Sequence, residues 1–430
     1  MIKKMSEFLK ELKWRGLIHD MTPGTEKYLG DKGATAYIGF DPTSDSLHIG
    51  SLLPIMLLVQ FQRFGHKPIA LVGGATGMIG DPSGKSQERN LLTEAQIEQN
   101  IEGIKKQLSK FLDFELKHNA AKIINNYDWF KGMGSIEFLR DIGKHITVSY
   151  MMAKDSVKNR LETGISFTEF SYQLLQAFDF AYLAESDNCL LQMGGSDQWG
   201  NMTTGVELVR RKNNKEAFAL TCPLVTKSDG GKFGKTEQGN IWLDPAKTSP
   251  YQFYQFWINT SDDDAEKYIK IFTLFSKSEV DSLMKKHNSS PNERYLQKAL
   301  ARDLTCRVHS EKDYDIAIKS SAILFGKGTN EMLKSLNEED FLSVFEGVPL
   351  CQLNINDIEP GIGILDLLSD KTGFLASKGE VRRALKENSL SINQIKVKDP
   401  ELNIGLNDLI NGKYILVQRG KKKKFLIVFS

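Results

Sequence analysis

The stretch Tyr37-Ile-Gly-Phe-Asp-Pro-Thr-Ser-Asp-Ser-Leu-His-Ile-Gly-Ser51 constrains the fold more than any other part of the chain. Residues 35–40 read as a short buried strand and 41–46 as turn formers and caps. A helix then opens with His48 and Gly50 in its first turn. Such a junction aims backbone N–H groups and the positive helix end at whatever binds there, which favours an anion. An imidazole in that turn adds a donor. Alone, the pattern suits any βα unit with a histidine at its start. Far downstream, Lys232-Phe-Gly-Lys-Thr236 supplies two lysines and a hydroxyl on a loop hinged by Gly230, Gly231 and Gly234.

The first half of the chain alternates strands (residues 35–40, 68–72, 122–125, 190–193 and 219–225) with amphipathic segments such as 52–64 and 94–112. That alternation predicts a parallel sheet covered by helices, with ligands at the carboxyl ends of the strands. The loops holding Asp41, residues 73–85 and residues 194–198 all follow strands and meet at that edge. Residues 131–185 form a long helical insertion. After Thr236 the pattern is helical over 250–258, 263–273 and 291–308, and residues 326–346 read as a transition. The tail predicts a helix near 378–388, a segment 391–395, and a hairpin of 414–418 with 425–429.

Composition narrows the class. At 430 residues, 26% charged and 40% hydrophobic, the chain can fill two or three cores. Its longest apolar run, residues 52–59, is too short to cross a bilayer, and residues 1–10 lack a signal-like apolar stretch. Cys189, Cys222, Cys306 and Cys351 are scattered, which argues against a disulfide framework or zinc site and for a reducing cytoplasm. Residues 361–430 carry 13 Lys and Arg against 7 Asp and Glu, although the whole chain is only +2. A basic tail on a mildly acidic body suits a polyanion, and equally a solvated basic surface.

Two glycine-rich runs, Gly80 to Lys85 and Gly230 to Lys235, imitate a P-loop. Ile79 and Asp229 stand where its first glycine is required, so neither qualifies. The paired histidine turn and lysine loop instead suit nucleotidyl transfer, in which a carboxylate attacks the α-phosphorus of ATP and pyrophosphate leaves. That chemistry needs positioning and charge neutralisation more than proton transfer. Thr43 and His48 on one side, and Lys232, Lys235 and Thr236 on the other, would clamp the leaving group, with Lys85 and Arg89 adding to it.

Several long segments together resemble the bacterial-type tyrosyl-tRNA synthetases, which are class I aminoacyl-tRNA synthetases. They are Tyr37 to Thr43, Leu71 to Gly84, Ser166-Phe-Thr-Glu-Phe-Ser-Tyr172, Gln173 to Asp179, Gly194-Gly-Ser-Asp-Gln-Trp-Gly-Asn201 and Lys232 to Thr236. The resemblance implies an α/β fold: a Rossmann-like catalytic domain over 1–228, an α-helical domain over 229–350 and a small α+β RNA-binding domain over 351–430. It implies ligation of tyrosine to tRNA(Tyr) through tyrosyl-adenylate, with ATP as substrate together with Mg²⁺ and no protein-bound metal or organic cofactor.

Residue by residue, the resemblance puts Tyr37 and Asp179 on the substrate's phenolic hydroxyl. Asp81, Tyr172 and Gln176 fall on its ammonium, and Gln198 near its carboxylate. Asp41, Gly195 and Asp197 fall by the adenosine, and Ser51 by the ribose, where the family commonly has a histidine. Thr43, His48, Lys85, Arg89, Lys232, Lys235 and Thr236 surround the phosphates. The insertion resembles a homodimer interface with Phe167 at or near it; its Lys144, His145, Lys154, Lys158 and Arg160 suit phosphate contacts or a solvated face. Lys378, Arg382, Arg383 and Lys386 of the tail resemble tRNA-backbone contacts. No membrane partner is implied.

Overall fold

The structure is a computed structural model and describes residues 6–30, 33–83, 92–161, 164–231, 233–236, 239–324, 329–420 and 423–430. It divides into two compact units, one of residues 1–247 and 259–307, the other of 248–258 and 308–430.

The first unit is built on a six-stranded sheet of β1 (Asp20–Met21), β2 (Thr35–Phe40), β3 (Lys67–Val72), β4 (Lys122–Asn125), β5 (Leu191–Gly195) and β6 (Phe218–Cys222), in the order β1-β6-β5-β2-β3-β4. All neighbours are parallel except the edge pair β1–β6. The near-continuous apolar sequences of β2 and β3 fit strands covered on both faces. β6 stops at Cys222, short of the expected 225, because Pro223 has no N–H for the ladder. The chain leaves β2 towards β3 on one side, and β5 lies on the other. β2 and β5 pair only at Ala36↔Leu191 and Tyr37↔Gln192, so their carboxyl ends part beyond those residues. A cleft at such a reversal of strand order is where doubly wound sheets bind ligands.

Helix α1 (Leu52–Arg63) is buried along most of its length, including Gln60 and Gln62. The expected first helical turn is instead a 3₁₀ turn, Ile49–Ser51, with His48 as its N-cap. The insertion is helical as expected and ends in α2 (Phe167–Ser186), which packs with α3 (Trp199–Leu208) behind the sheet. Ser166 caps α2 by accepting from Glu169 N. After the sheet, β7 (Lys235–Thr236) and β8 (Gly239–Asn240) form a short hairpin. Helices Asp262–Phe272 and Lys277–Ser289 follow. Few apolar residues mark the second of these, but Ser276 and Glu279 form a capping box at its start.

The second unit centres on a five-stranded sheet containing β9 (Leu350–Leu353), β10 (Leu390–Ile392), β11 (Ile395–Lys396), β12 (Tyr414–Arg419) and β13 (Lys423–Phe429), in the order β11-β10-β12-β13-β9. Residues 326–346, expected as a transition, include helices Asn330–Lys334 and Glu338–Val344. β12 alternates strictly, as a strand with two covered faces must. Ile415 and Val417 join the core formed with Leu368, Val381 and Leu385, whereas Tyr414 and Leu416 join Ile323, Leu333 and Phe341. Residues before and after 350 therefore share a core, so the compact units divide the chain differently from the 228 and 350 boundaries read in the sequence.

Candidate active site

The parted ends of β2 and β5 open a cavity of about 350 Å³. Tyr37, Asp81, Tyr172, Gln176, Asp179 and Gln198 line it, together with Asp41, Thr43, His48, Ser51, Gly195 and Asp197. Twelve side chains or backbones read from separate parts of the sequence thus meet in one place. Lys85, Arg89 and Lys232 lie outside the described residues. Lys235 and Thr236 are described as backbone strand β7.

The deep part of the cavity is dominated by two buried groups. Tyr37 is buried on β2, and its Oη lacks a hydrogen-bond partner among the described residues. Burial, then the neighbouring Asp179, pushes its phenol well above the usual range. Asp179, only 1% exposed on α2, accepts from Trp129 Nε1 at 3.0 Å and from Asn126 Nδ2 at 3.1 Å. Burial outweighs both donors and raises its pKa to about 8. A buried polar atom without a partner is costly, so an orphan hydroxyl beside a carboxyl whose charge burial disfavours is a site prepared for a ligand that both donates and accepts. Gln192 Oε1, also on the cavity wall, is another buried atom without a partner among the described residues.

Elsewhere on the cavity wall, Asp81 holds the turn after β3 by accepting from Ser83 N at 2.9 Å, and its other oxygen accepts from Gln198 Nε2 at 2.7 Å. Asn201 joins this group, donating to Gln176 Oε1 at 3.0 Å. Tyr172 donates to Asp41 Oδ2 at 2.7 Å, and Thr76 Oγ1 donates to Asp41 Oδ1 at 2.8 Å. Burial, then Asp41, raises the Tyr172 phenol well above its usual value. A Cβ at Gly73 would collide with Asp41 Oδ1 and Thr76 Oγ1, which explains the glycine there.

His48 Nδ1 accepts from Gly50 N at 3.0 Å. That leaves the proton of the neutral imidazole on Nε2, which makes the ring a donor. Residues Leu47 and Ile49 pair with the chain after the lysine loop: Leu243 N donates to Leu47 O at 2.8 Å and Ile49 N to Ile241 O at 2.9 Å.

Sequence reading missed Asn126, Trp129, Thr76, Gln192 and Asn201. Asn126 follows the carboxyl end of β4, and that position at the ligand edge was the available signal. Arg160 departs from its expected role: it is buried, donating to Glu169 at 2.8 and 3.1 Å, because Glu169 in the first turn of α2 needs a buried partner. Lys154 donates to Thr203 Oγ1 at 3.0 Å and lies over the Tyr150 ring. Phe167 is 74% exposed, as is Ile136, with Leu139 and Val148 more than half exposed.

In the second unit, helix α4 (Lys378–Lys386) buries Val381, Ala384 and Leu385 and exposes Arg382, Arg383 and Lys386. Lys378 is partly neutralised by Asp366 and, at 3.1 Å, Asp370. The exposed cations of α4 face solvent on the side opposite its apolar stripe.

The family model for tRNA synthetases class I (W and Y) matches residues 31–325, and that for the tyrosine–tRNA ligase SYY-like C-terminal domain matches 340–427. Among curated relatives, the tyrosine–tRNA ligase of Cytophaga hutchinsonii is 58% identical over 428 residues, covering 99% of this chain and 100% of that protein. That of Porphyromonas gingivalis is 58% identical over 426 residues, covering 98% and 99%. Among solved structures, a C-terminally truncated mitochondrial tyrosyl-tRNA synthetase from Aspergillus nidulans superposes with a TM-score of 0.67 at 31% identity, over 74% of this chain and 94% of that one.

Proposed function

The chain belongs to the tyrosine–tRNA ligases of class I, and on that premise we propose how its cavity activates tyrosine. The reaction joins tyrosine to tRNA at the expense of ATP. The observation that carries the assignment of the pocket is the buried, partnerless Tyr37 Oη next to Asp179. A substrate phenol accepts from Tyr37 and donates to Asp179, satisfying both. Phenylalanine leaves the Tyr37 hydroxyl unpaired and gives Asp179 no donor beyond Trp129 and Asn126, and discrimination of these two amino acids by tyrosyl enzymes is the standing illustration of that penalty.

With the ring seated there, Asp81, Tyr172 and Gln176 hold the ammonium group and Gln198 lies by the carboxylate. The carboxylate attacks the α-phosphorus of ATP and the bond to pyrophosphate breaks. Asp41, Gly195, Asp197 and Ser51 receive the adenosine, and Mg²⁺ enters with the nucleotide. Thr43, the Nε2–H of His48, Lys85, Arg89, Lys232, Lys235 and Thr236 neutralise the phosphates as charge moves to the leaving group. A tRNA hydroxyl then displaces AMP from the adenylate. The backbone pairing of residues 47–49 with 241–243 supports the shared role, since it ties the lysine loop to the His48 turn.

The exposed Phe167, Ile136, Leu139 and Val148 support a homodimer formed through the insertion; sedimentation as a monomer at micromolar concentration counts against it. The solvent face of α4 supports contact with the tRNA backbone, and the likeness to bacterial tyrosine–tRNA ligases supports a cytoplasmic location. The deciding experiment is ATP–pyrophosphate exchange by purified protein. Exchange depends on tyrosine; equal exchange with tryptophan or phenylalanine refutes the substrate assignment.

A further inference from the structure

Two adjacent residues of the lysine loop, Phe233 and Gly234, are held by contacts with the rest of the first unit. Ile241 N donates to Gly234 O at 3.2 Å before the chain zips on to Leu47 and Ile49. Next to Gly234 stands Phe233, an aromatic residue in an otherwise polar, glycine-rich loop. Its ring lies flat on Phe272, with centroids 5.2 Å apart and planes 10° apart, and edge-on to Tyr268 at 5.0 Å. Both partners are buried on helix Asp262–Phe272.

That helix is itself a fixed platform. The Arg15 guanidinium donates to the carbonyls of Lys270, Thr273 and Phe275 at 2.5, 2.8 and 2.8 Å, capping its C-terminal end. Arg307 donates to Phe272 O at 3.0 Å. On the other side of the loop, Gly234 has φ +83°, and a Cβ there would come 3.1 Å from Ile49 Cγ1. The backbone between the two lysines is therefore pressed against the His48 turn by a residue without a side chain, while its neighbour is stacked on the platform.

We propose that Phe233 is a positioning residue for adenylate formation: its stack on Phe272 and Tyr268 sets the place of the loop from which the flanking Lys232 and Lys235 act. Phe233 touches no reacting group, and its effect passes through the lysines. The inference rests on the proposed role of those lysines. Misplacing a charge-neutralising group by about an ångström is enough to slow a step by about a hundredfold.

The test is single-turnover formation of tyrosyl-adenylate, with tyrosine affinity measured in parallel by equilibrium dialysis. Phe233→Ala is expected to lower the rate at least about tenfold while the tyrosine Kd stays within about twofold, and Phe233→Tyr, which keeps the ring, to restore most of the rate. In a Lys235→Ala background, Phe233→Ala is expected to cost less, because one of the two lysines it positions is already gone. An unchanged rate in Phe233→Ala, or an equal further loss in the Lys235→Ala background, overturns the proposal. So does parallel loss of tyrosine binding. If the alanine variant does not fold, Phe233→Leu, which keeps bulk but not flat stacking, is read in the same way. Should Lys235→Ala alone leave the rate intact, the reading of the lysine loop fails; should it slow the step while Phe233→Ala does not, only the present inference fails.

Discussion

Tyr172 donates its phenolic hydrogen to Asp41 Oδ2 over 2.7 Å, joining α2 to the carboxyl end of β2 on the wall of the cavity. The bond is one link in a longer chain. Asp41 accepts from Thr76, Asn126 Nδ2 donates to Thr76 Oγ1 at 3.1 Å, and Asn126 also donates to Asp179. The Asp41 carboxyl is thus connected to that of Asp179 through Thr76 and Asn126. Removing the hydroxyl in Tyr172→Phe deprives a charged acceptor of a donor, a loss of about 1.5 kcal/mol or roughly tenfold in affinity. Equilibrium dialysis is expected to show weaker tyrosine binding, and exchange kinetics a raised KM for ATP because Asp41 has lost one of its supports.

Asn126→Ala removes one of the two side-chain donors that stabilise ionised Asp179 and also releases Thr76. Burial already works against the carboxylate, so losing a donor pushes its pKa further up. The expected result is a fall of about tenfold in kcat/KM for tyrosine with little change for phenylalanine, and hence poorer discrimination in exchange assays.

Asn126 also marks the limit of what the sequence makes legible. Tyr37, Asp41, Asp179 and Gln198 sit in long, unusual segments, and the strand–helix alternation around them foretells the sheet whose edge they share. Asn126 and Trp129 lie in an unremarkable run after β4, and only the folded approach of that run to α2 reveals what they hold. The same limit applies to Arg160, whose charge suggested a surface contact until Glu169 was found beside it. In the tail, the alternation of β12 was readable as a strand, but which of its faces met which core was not. Tertiary contacts between distant segments decide such cases, and local pattern does not carry them.

Because Asp179 has a pKa of about 8 in the empty pocket, against about 3.9 for a free aspartate, the unfolded chain loses this proton first as pH rises. Its contribution to stability is therefore most favourable below pH ~4, declines between ~4 and ~8, and is level above. Asp179→Asn, which cannot ionise, is expected to raise the melting temperature of the ligand-free protein at pH 8 and progressively less as the pH is lowered towards 5. Calorimetry across that range checks the sign. Tyrosine binding, which calls on the ionised carboxylate, is expected to strengthen in the parent protein as pH rises towards 8 and to lose that dependence in the variant.

A Cβ at Gly50 would stand 2.6 Å from His48 Cε1 and 2.8 Å from its Nδ1. Gly50→Ala therefore drives the ring off its cap, breaks the Gly50 N–H bond to Nδ1 and turns Nε2–H away from the proposed phosphate position. Adenylate formation is expected to slow by about tenfold to a hundredfold, with tyrosine affinity preserved. His48→Ala should reach a similar rate, and the double variant should be little slower than either, since both remove the same donor. Rapid-quench measurement of adenylate formation in the three variants tests this.

Truncating the tail at residue 350 is a poor test of RNA binding, because Tyr414, Leu416 and Leu426 form one core with Ile323, Leu333 and Phe341. The cut exposes that core and confounds lost folding with lost contacts. The exposed face of α4 permits a cleaner experiment. Arg382, Arg383 and Lys386 are exposed, while Val381, Ala384 and Leu385 carry the packing. Replacing the three cations by alanine keeps helix propensity and the buried stripe. Each lost phosphate contact reduces the slope of log K against log salt by about 0.7–0.9, so the triple variant should lose about 2 units of slope along with tRNA affinity. Tyrosine-dependent ATP–pyrophosphate exchange, which needs no tRNA, should be unchanged. Filter binding over a salt series and aminoacylation of tRNA measure the two effects separately, and an unaltered salt slope would remove α4 from the RNA-binding surface.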